Sequence, residues 1–177
     1  MTEEQKPART FAAQAVHAAR TTTIVNLTMS QMADQKASIL MGATFVVFTL
    51  TLGQASKGHA PPALLVLGAF AFVSACFAVS VVMPSVRGKH IPTDKDNPMF
   101  FGVISVFAED VYIETMLDHL ATDETMFRMM LRDIWQNGQV LQNKKYKRLG
   151  WAYRIFLAGL VCSASVFVAG LVGVMPG

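Results

Sequence analysis

Charge is scarce in this chain. Of its 177 residues only 15% are Asp, Glu, Lys or Arg, while 53% are hydrophobic; a soluble domain averages roughly a quarter charged. The shortage argues against a soluble enzyme and against a disordered chain. Cysteine is scarcer still. Cys76 and Cys162 both sit inside apolar runs, so neither a disulfide framework nor a cysteine metal site is expected. The four histidines (His17, His59, His90, His119) are scattered without metal-ligand spacing. GxSxG, Walker A and GxGxxG patterns are all missing, and Gly88–Lys89 lacks the flanking residues of a phosphate loop. An enzyme, a metal and a bound cofactor are therefore not expected. The formal net charge of +3 gives no argument for a nucleic-acid partner. The first 37 residues carry charge without a compact apolar core, so no signal-peptide pattern is legible there.

What the chain does have is three long apolar stretches. They run from 37 to 56, from 58 to 86 and from 155 to the end. A helix needs about 20 such residues to cross a hydrocarbon core of about 30 Å. The expected fold is an all-α membrane protein with three transmembrane helices, at 37–56, 62–83 and 155–175. The remainder, 1–36 and 84–154, is expected to form a small cytoplasmic helical bundle from extensions of the first and third spans plus a short helix. Of the 15 Lys and Arg residues, four lie in 1–37, one (Lys57) between the first two spans and ten in 84–154. The positive-inside bias then puts the N-terminus and 84–154 in the cytoplasm, with an external hairpin near Lys57–Pro62 and an external C-terminus.

Residues 8–36 lack proline and glycine, and Phe11, Ala15, Ala18, Thr22, Val25, Met29 and Met32 fall on one helical stripe. Pro84, Gly88, Pro92, Pro98 and Gly102 mark 84–102 as a loop. Helical spacing resumes through Val111, Ile113, Leu117 and Leu120, breaks at Thr122–Asp123, and continues along Phe127, Leu131, Ile134, Gly138, Leu141 and Lys145. Gly138 is the expected weak point of that helix. A bundle of roughly 100 residues is small for a self-sufficient core, so a homo-oligomer is expected.

Two groups of residues invite chemistry. Asp110, Glu114 and Asp118 form an acidic row at i, i+4, i+8; such a row reads first as a solvated face. The run NKKYKRLGWAYR (143–154) places Lys144, Lys145, Lys147, Arg148 and Arg154 beside the third span. Attraction to anionic lipid headgroups accounts for such a cluster, and an anion site is the other reading. Lys145 falls on the apolar stripe, where an unpaired ammonium is costly; it requires a carboxylate or a ligand phosphate. Asp34 and Lys36 stand at the mouth of the first span, and Asp34 is a candidate for a structural ion pair with a Lys or Arg.

ADQKASILMG (33–42), NPMFFG (97–102) and DIWQNGQVLQNKKYKRLGWAYRIFLAGL (133–160) occur in that order. The set resembles the transmembrane effector family of Pycsar bacterial anti-phage defence, over residues 25 to 170. One departure is QNG at 136–138, where a more apolar residue is expected before the glycine. The resemblance implies a bacterial inner-membrane protein acting downstream of a cyclase. It implies activation by a cyclic pyrimidine mononucleotide, cCMP or cUMP, followed by membrane impairment and growth arrest or cell death. It also makes Lys36, Lys145 and Arg148 candidates for the phosphate, Asn97 for a base-edge contact, and Phe101 or Tyr146 for stacking on the base. Gly42, Gly53, Gly68, Gly159, Ala164 and Gly170 suit close helix contact in the spans. The alternatives are a membrane adaptor that binds lipid alone, and a small oligomeric pore lined by residues such as Thr44, Thr51 and Ser163, neither with a nucleotide ligand.

Overall fold

In lipid, long apolar runs can satisfy their backbone N–H and C=O groups only from within, which selects helix. The computed structural model describes residues 9–58, 60–83, 97–104 and 107–173, and no strand occurs among them. The helices are α1 (Ala15–Ala55), α2 (Pro62–Val82), α3 (Phe101–Ile104), α4 (Glu109–Leu120), α5 (Asp123–Val140) and α6 (Lys147–Leu171), with a π-helical segment, Leu141–Tyr146, joining α5 to α6. Three helical runs are long and apolar enough to cross a membrane: Ala15–Ala55, Pro62–Val82 and Asp123–Leu171. The end of the third expected span, at 175, lies outside the described residues, as does the loop over 84–96.

The described chain divides into two compact units. One comprises Met1–Thr28 and Ser85–Gln139, the other Met29–Pro84 and Val140–Gly177. Helix α1 and the run Asp123–Leu171 contribute residues to both.

The second unit holds the most apolar helical segments. Gly58, with φ +72°, allows the turn after α1, and Pro62 opens α2 where its missing N–H costs nothing. The contacts between helices are made by small residues. Ala33, Ala37, Val81 and Leu149 form one cluster, and Leu40, Ala78 and Ala152 another. Hydroxyls tie neighbouring helices: Ser74 Oγ donates to Ala152 O at 2.7 Å, and Ser163 Oγ to Ala63 O at 2.7 Å. A Cβ on Gly68 would stand 2.5 Å from Thr51 Cγ2, and one on Gly159 would overlap Phe70 Cβ. Large side chains such as Phe45, Leu50, Val161 and Phe167 point outward. Hydrocarbon tails are as apolar as leucine, so such an exterior costs nothing in a bilayer.

In the first unit α5 meets the start of α1, His119 of α4 and the segment from Asn97. Phe11 and Phe127 stack with ring centroids 4.4 Å apart. Asn26 Nδ2 donates to Ile134 O at 3.1 Å. Asn97 is buried; its Nδ2 donates to Met129 O at 3.3 Å and its Oδ1 accepts from Met99 N at 3.2 Å, an Asx turn that starts the chain toward α3. Thr122 Oγ1 accepts the Thr125 N–H at 3.2 Å, and Asp123 and Glu124 occupy the first turn of α5.

Two expectations about faces are corrected. On α1 the inward face is Ala15, Ala19, Thr23, Asn26, Ser30, Ala33, Ala37 and Leu40, while Thr22, Val25, Met29 and Met32 are exposed. The apolar periodicity selected the wrong side because small and hydrogen-bonding residues, not large ones, make the close contacts. On α5, Leu131 faces outward and Met129 and Asp133 are buried. Gly138 does not interrupt the long helix; the irregularity falls at Leu141–Tyr146 instead.

Candidate functional site

The π segment is where the second unit concentrates its charge chemistry. Ser30 and Asp34 lie one turn apart on α1, so one cation can reach both. Lys145 Nζ is that cation. It donates to Asp34 Oδ2 at 2.6 Å, Asp34 Oδ1 at 2.8 Å and Ser30 Oγ at 2.8 Å. An ammonium has three hydrogens, and these contacts use them. Both side chains are partly shielded, at 23% and 37% exposure. The next residue, Tyr146, donates its hydroxyl to Met29 O at 3.4 Å. Arg148 Nη1 donates to Ser80 O at 2.7 Å, closing the end of α2. Tyr153 Oη donates to the carbonyl of Lys36 at 3.3 Å, and the Lys36 side chain is exposed. π segments inside α-helices are frequent at functional sites.

The residues expected to hold a ligand therefore fall into two groups. Lys36, Lys145, Tyr146 and Arg148 belong to the second unit together with Asp34, while Asn97 and Phe101 belong to the first. The side chain of Phe101 lies outside the described residues. An anion reaching Lys145 has to displace Asp34, and one reaching Arg148 competes with a backbone carbonyl.

Asn97 has different neighbours from those the sequence offered. It lines a cavity of about 100 Å³ with His119, Thr125, Arg128, Met129 and Arg132. Arg128 and Arg132 stand on successive turns of α5. Arg128 Nη2 pairs with Glu124 Oε1 at 2.9 Å, exposed to solvent, whereas Arg132 has no hydrogen bond or ion pair among the described residues. His119 Nδ1 lies 2.7 Å from Thr115 O. A carbonyl only accepts, so Nδ1 carries the hydrogen. The i, i+4 pair Arg128 and Arg132 was readable in the sequence; its meeting with His119 of another helix was not.

One further polar feature is buried in the first unit. Asp133 Oδ1 and Gln136 Oε1 are buried side-chain oxygens without a hydrogen-bond partner among the described residues. Burial raises the pKa of Asp133 above 3.8, and a hydrogen bond with Asn137 opposes that rise. Asp110, Glu114 and Asp118 are exposed on α4. No group of three or more His, Cys, Asp or Glu side chains suited to a metal ion occurs among the described residues. A groove of about 550 Å³ in the second unit is lined by Met41, Phe45, Phe48, Phe72 and Val79, among others; its chemistry suits hydrocarbon and no polar ligand.

A family model described as a Pycsar effector protein domain matches residues 17–172. No curated protein and no solved structure matches the chain.

Proposed function

The chain belongs to the Pycsar effector family and is a multi-pass membrane effector of that anti-phage defence, and from this premise we propose that a cyclic pyrimidine mononucleotide, cCMP or cUMP, switches it on. The nucleotide comes from a partner cyclase. The active form impairs the bacterial inner membrane and stops growth. The chain does this without catalysing a reaction, by changing how its helices pack within a homo-oligomer. The observation that carries the reading is the family match over nearly the whole chain. The three apolar helical runs supply the membrane part of it.

The proposed orientation puts the N-terminus and 84–154 in the cytoplasm, where a soluble nucleotide is made. Lys36, Lys145 and Arg148 for the phosphate, Asn97 for the base edge and Phe101 or Tyr146 for stacking remain the residues the resemblance proposes. A ligand must favour the active arrangement by a real free-energy difference; moving a population from 1:99 to 99:1 takes about 5.5 kcal/mol. Lys145 is held by Asp34 and Ser30 from within the π segment. Rewinding those six residues into α-helix shifts the side-chain register by one residue, or about 100°, and withdraws Lys145 from Asp34. That pair is therefore a latch on the resting state.

The test is dye release from liposomes loaded with the purified protein, with cCMP, cUMP and cAMP added in turn. Release with a pyrimidine nucleotide and not with cAMP supports the reading. Silence with all three, together with an unchanged oligomer size, sinks it in favour of a lipid-binding adaptor; release without any nucleotide favours an unregulated pore.

A further inference from the structure

We infer that the cavity among Asn97, His119, Thr125, Arg128, Met129 and Arg132 is a phosphate-binding site, built for the singly charged phosphodiester of a small soluble nucleotide. Among the described residues, no carboxylate lines it. Arg128 spends one nitrogen on Glu124 and keeps the rest of a five-hydrogen fork. Arg132, one turn on, spends none of its donors among the described residues. Side chains four apart share a helix face, so the two guanidinium groups can approach one anion from the same side.

The other walls add further polar groups. Because His119 Nδ1 is committed to Thr115 O, Nε2 is the ring nitrogen left, and it donates to an anion once protonated. Asn97 is 1% exposed and pinned through Met129 O and Met99 N, which leaves its second amide hydrogen. Two guanidinium groups on one helix face with an amide donor beside them complement an anion, and charge-assisted bonds of this kind are the strong ones.

Size narrows the ligand. Pockets that enclose a whole small molecule run from about 300 Å³ upward, whereas about 100 Å³ takes a charged head group and leaves the rest outside. The site therefore reads the phosphate and not the base. It adds the arginines of α5 to the phosphate candidates that the resemblance offers. The nucleotide half of the inference rests on the activation proposed above; the phosphate half does not.

Met129 is buried and lines the cavity, so its methyl group is the reporter. The full chain, labelled at methionine methyls in maltoside micelles, is titrated with inorganic phosphate, cCMP, cUMP and phosphatidylglycerol in the micelle. Affinity for the nucleotides is measured by calorimetry on the same samples, for the wild type, Arg132→Ala and Arg20→Ala. The expected result is that phosphate and the pyrimidine nucleotides shift the Met129 signal. Arg132→Ala should weaken both by about tenfold or more, while Arg20→Ala, exposed on α1 and outside the cavity, changes neither. Arg132 is exposed, and an unchanged methionine spectrum in the variant shows that it folds. If phosphate shifts Met129 and the nucleotides do not bind at all, the phosphate site stands and the activation reading fails. If nucleotides bind with Arg132→Ala unaffected and Met129 still, activation stands and this site is overturned. A signal that answers only to phosphatidylglycerol overturns the soluble ligand in favour of a lipid headgroup, and no response to any probe overturns the site.

Discussion

Lys145 Nζ sits 2.6 and 2.8 Å from the two carboxylate oxygens of Asp34, joining residues 111 apart in the chain. The ammonium also holds Ser30, so one side chain of the π segment grips two turns of α1. Partial exposure of the pair discounts its strength, and the charge-assisted geometry restores some of it.

Breaking this grip should cost about 1–2 kcal/mol. Lys145→Met leaves the Asp34 carboxylate without its cation and is expected to be the more costly change; Asp34→Asn keeps an acceptor for Lys145. The double variant should cost less than the sum of the singles, because the partners couple. Thermal melts in detergent of the four proteins measure the cycle. Strict additivity would mean that the pair contributes nothing as a pair. In the liposome assay, Lys145→Met should leak without nucleotide if the pair is a latch.

Gly159 and Gly68 are held by packing, whereas Gly42 and Gly170 have open space where a Cβ would go. Gly159→Ala drives a methyl into Phe70 close to its backbone, and Gly68→Ala drives one into the β-branched Thr51. Each should cost about 1–3 kcal/mol. Gly42→Ala and Gly170→Ala should be neutral or slightly stabilising, since alanine is the better helix former. Melting temperatures of the four variants decide it: a ranking with Gly42→Ala worst would refute the packing of Gly68 on Thr51 and of Gly159 on Phe70.

Asp133 sets a pH dependence. Its folded pKa is raised above 3.8 by burial, so the folded state keeps the proton after the unfolded chain has released it. Stability then falls as pH rises from 3.8 through the raised value, and above it the buried charge costs its full amount. Asp133→Asn removes the charge and can still accept from Asn137. It should flatten this slope and raise stability at neutral pH by about 1 kcal/mol. Denaturation across the acid-to-neutral range compares the two proteins; parallel curves would show that the carboxylate is not desolvated.

Orientation is testable by labelling single cysteines in whole cells. With Cys76 and Cys162 replaced, Ser56→Cys in the turn after α1 should react with an impermeant maleimide from outside. Glu114→Cys, exposed on α4, should react only after the membrane is permeabilised. The opposite pattern would invert the topology.

The positions of the apolar helices could be read from the chain alone, because the need to cross about 30 Å of hydrocarbon with every backbone group bonded is a one-dimensional constraint. So could the family, since the motifs at 33–42, 97–102 and 133–160 are local strings. The N-cap at Thr122 and the turn at Gly58 were equally local.

Which side of each helix turns inward was not legible. Large apolar residues usually mark the buried face, and in a chain that meets lipid they have no reason to. Ala19, Asn26, Ser30, Ala33 and Ala37 face inward because close approach and hydrogen bonds, not greasy bulk, hold these helices together. Composition and apolar run length thus determined that the chain threads a bilayer and roughly where. Tertiary packing alone decided that Lys145 finds Asp34, and that His119 shares a cavity with Arg128 and Arg132, since each of those meetings joins separate helices and no spacing along the chain encodes it.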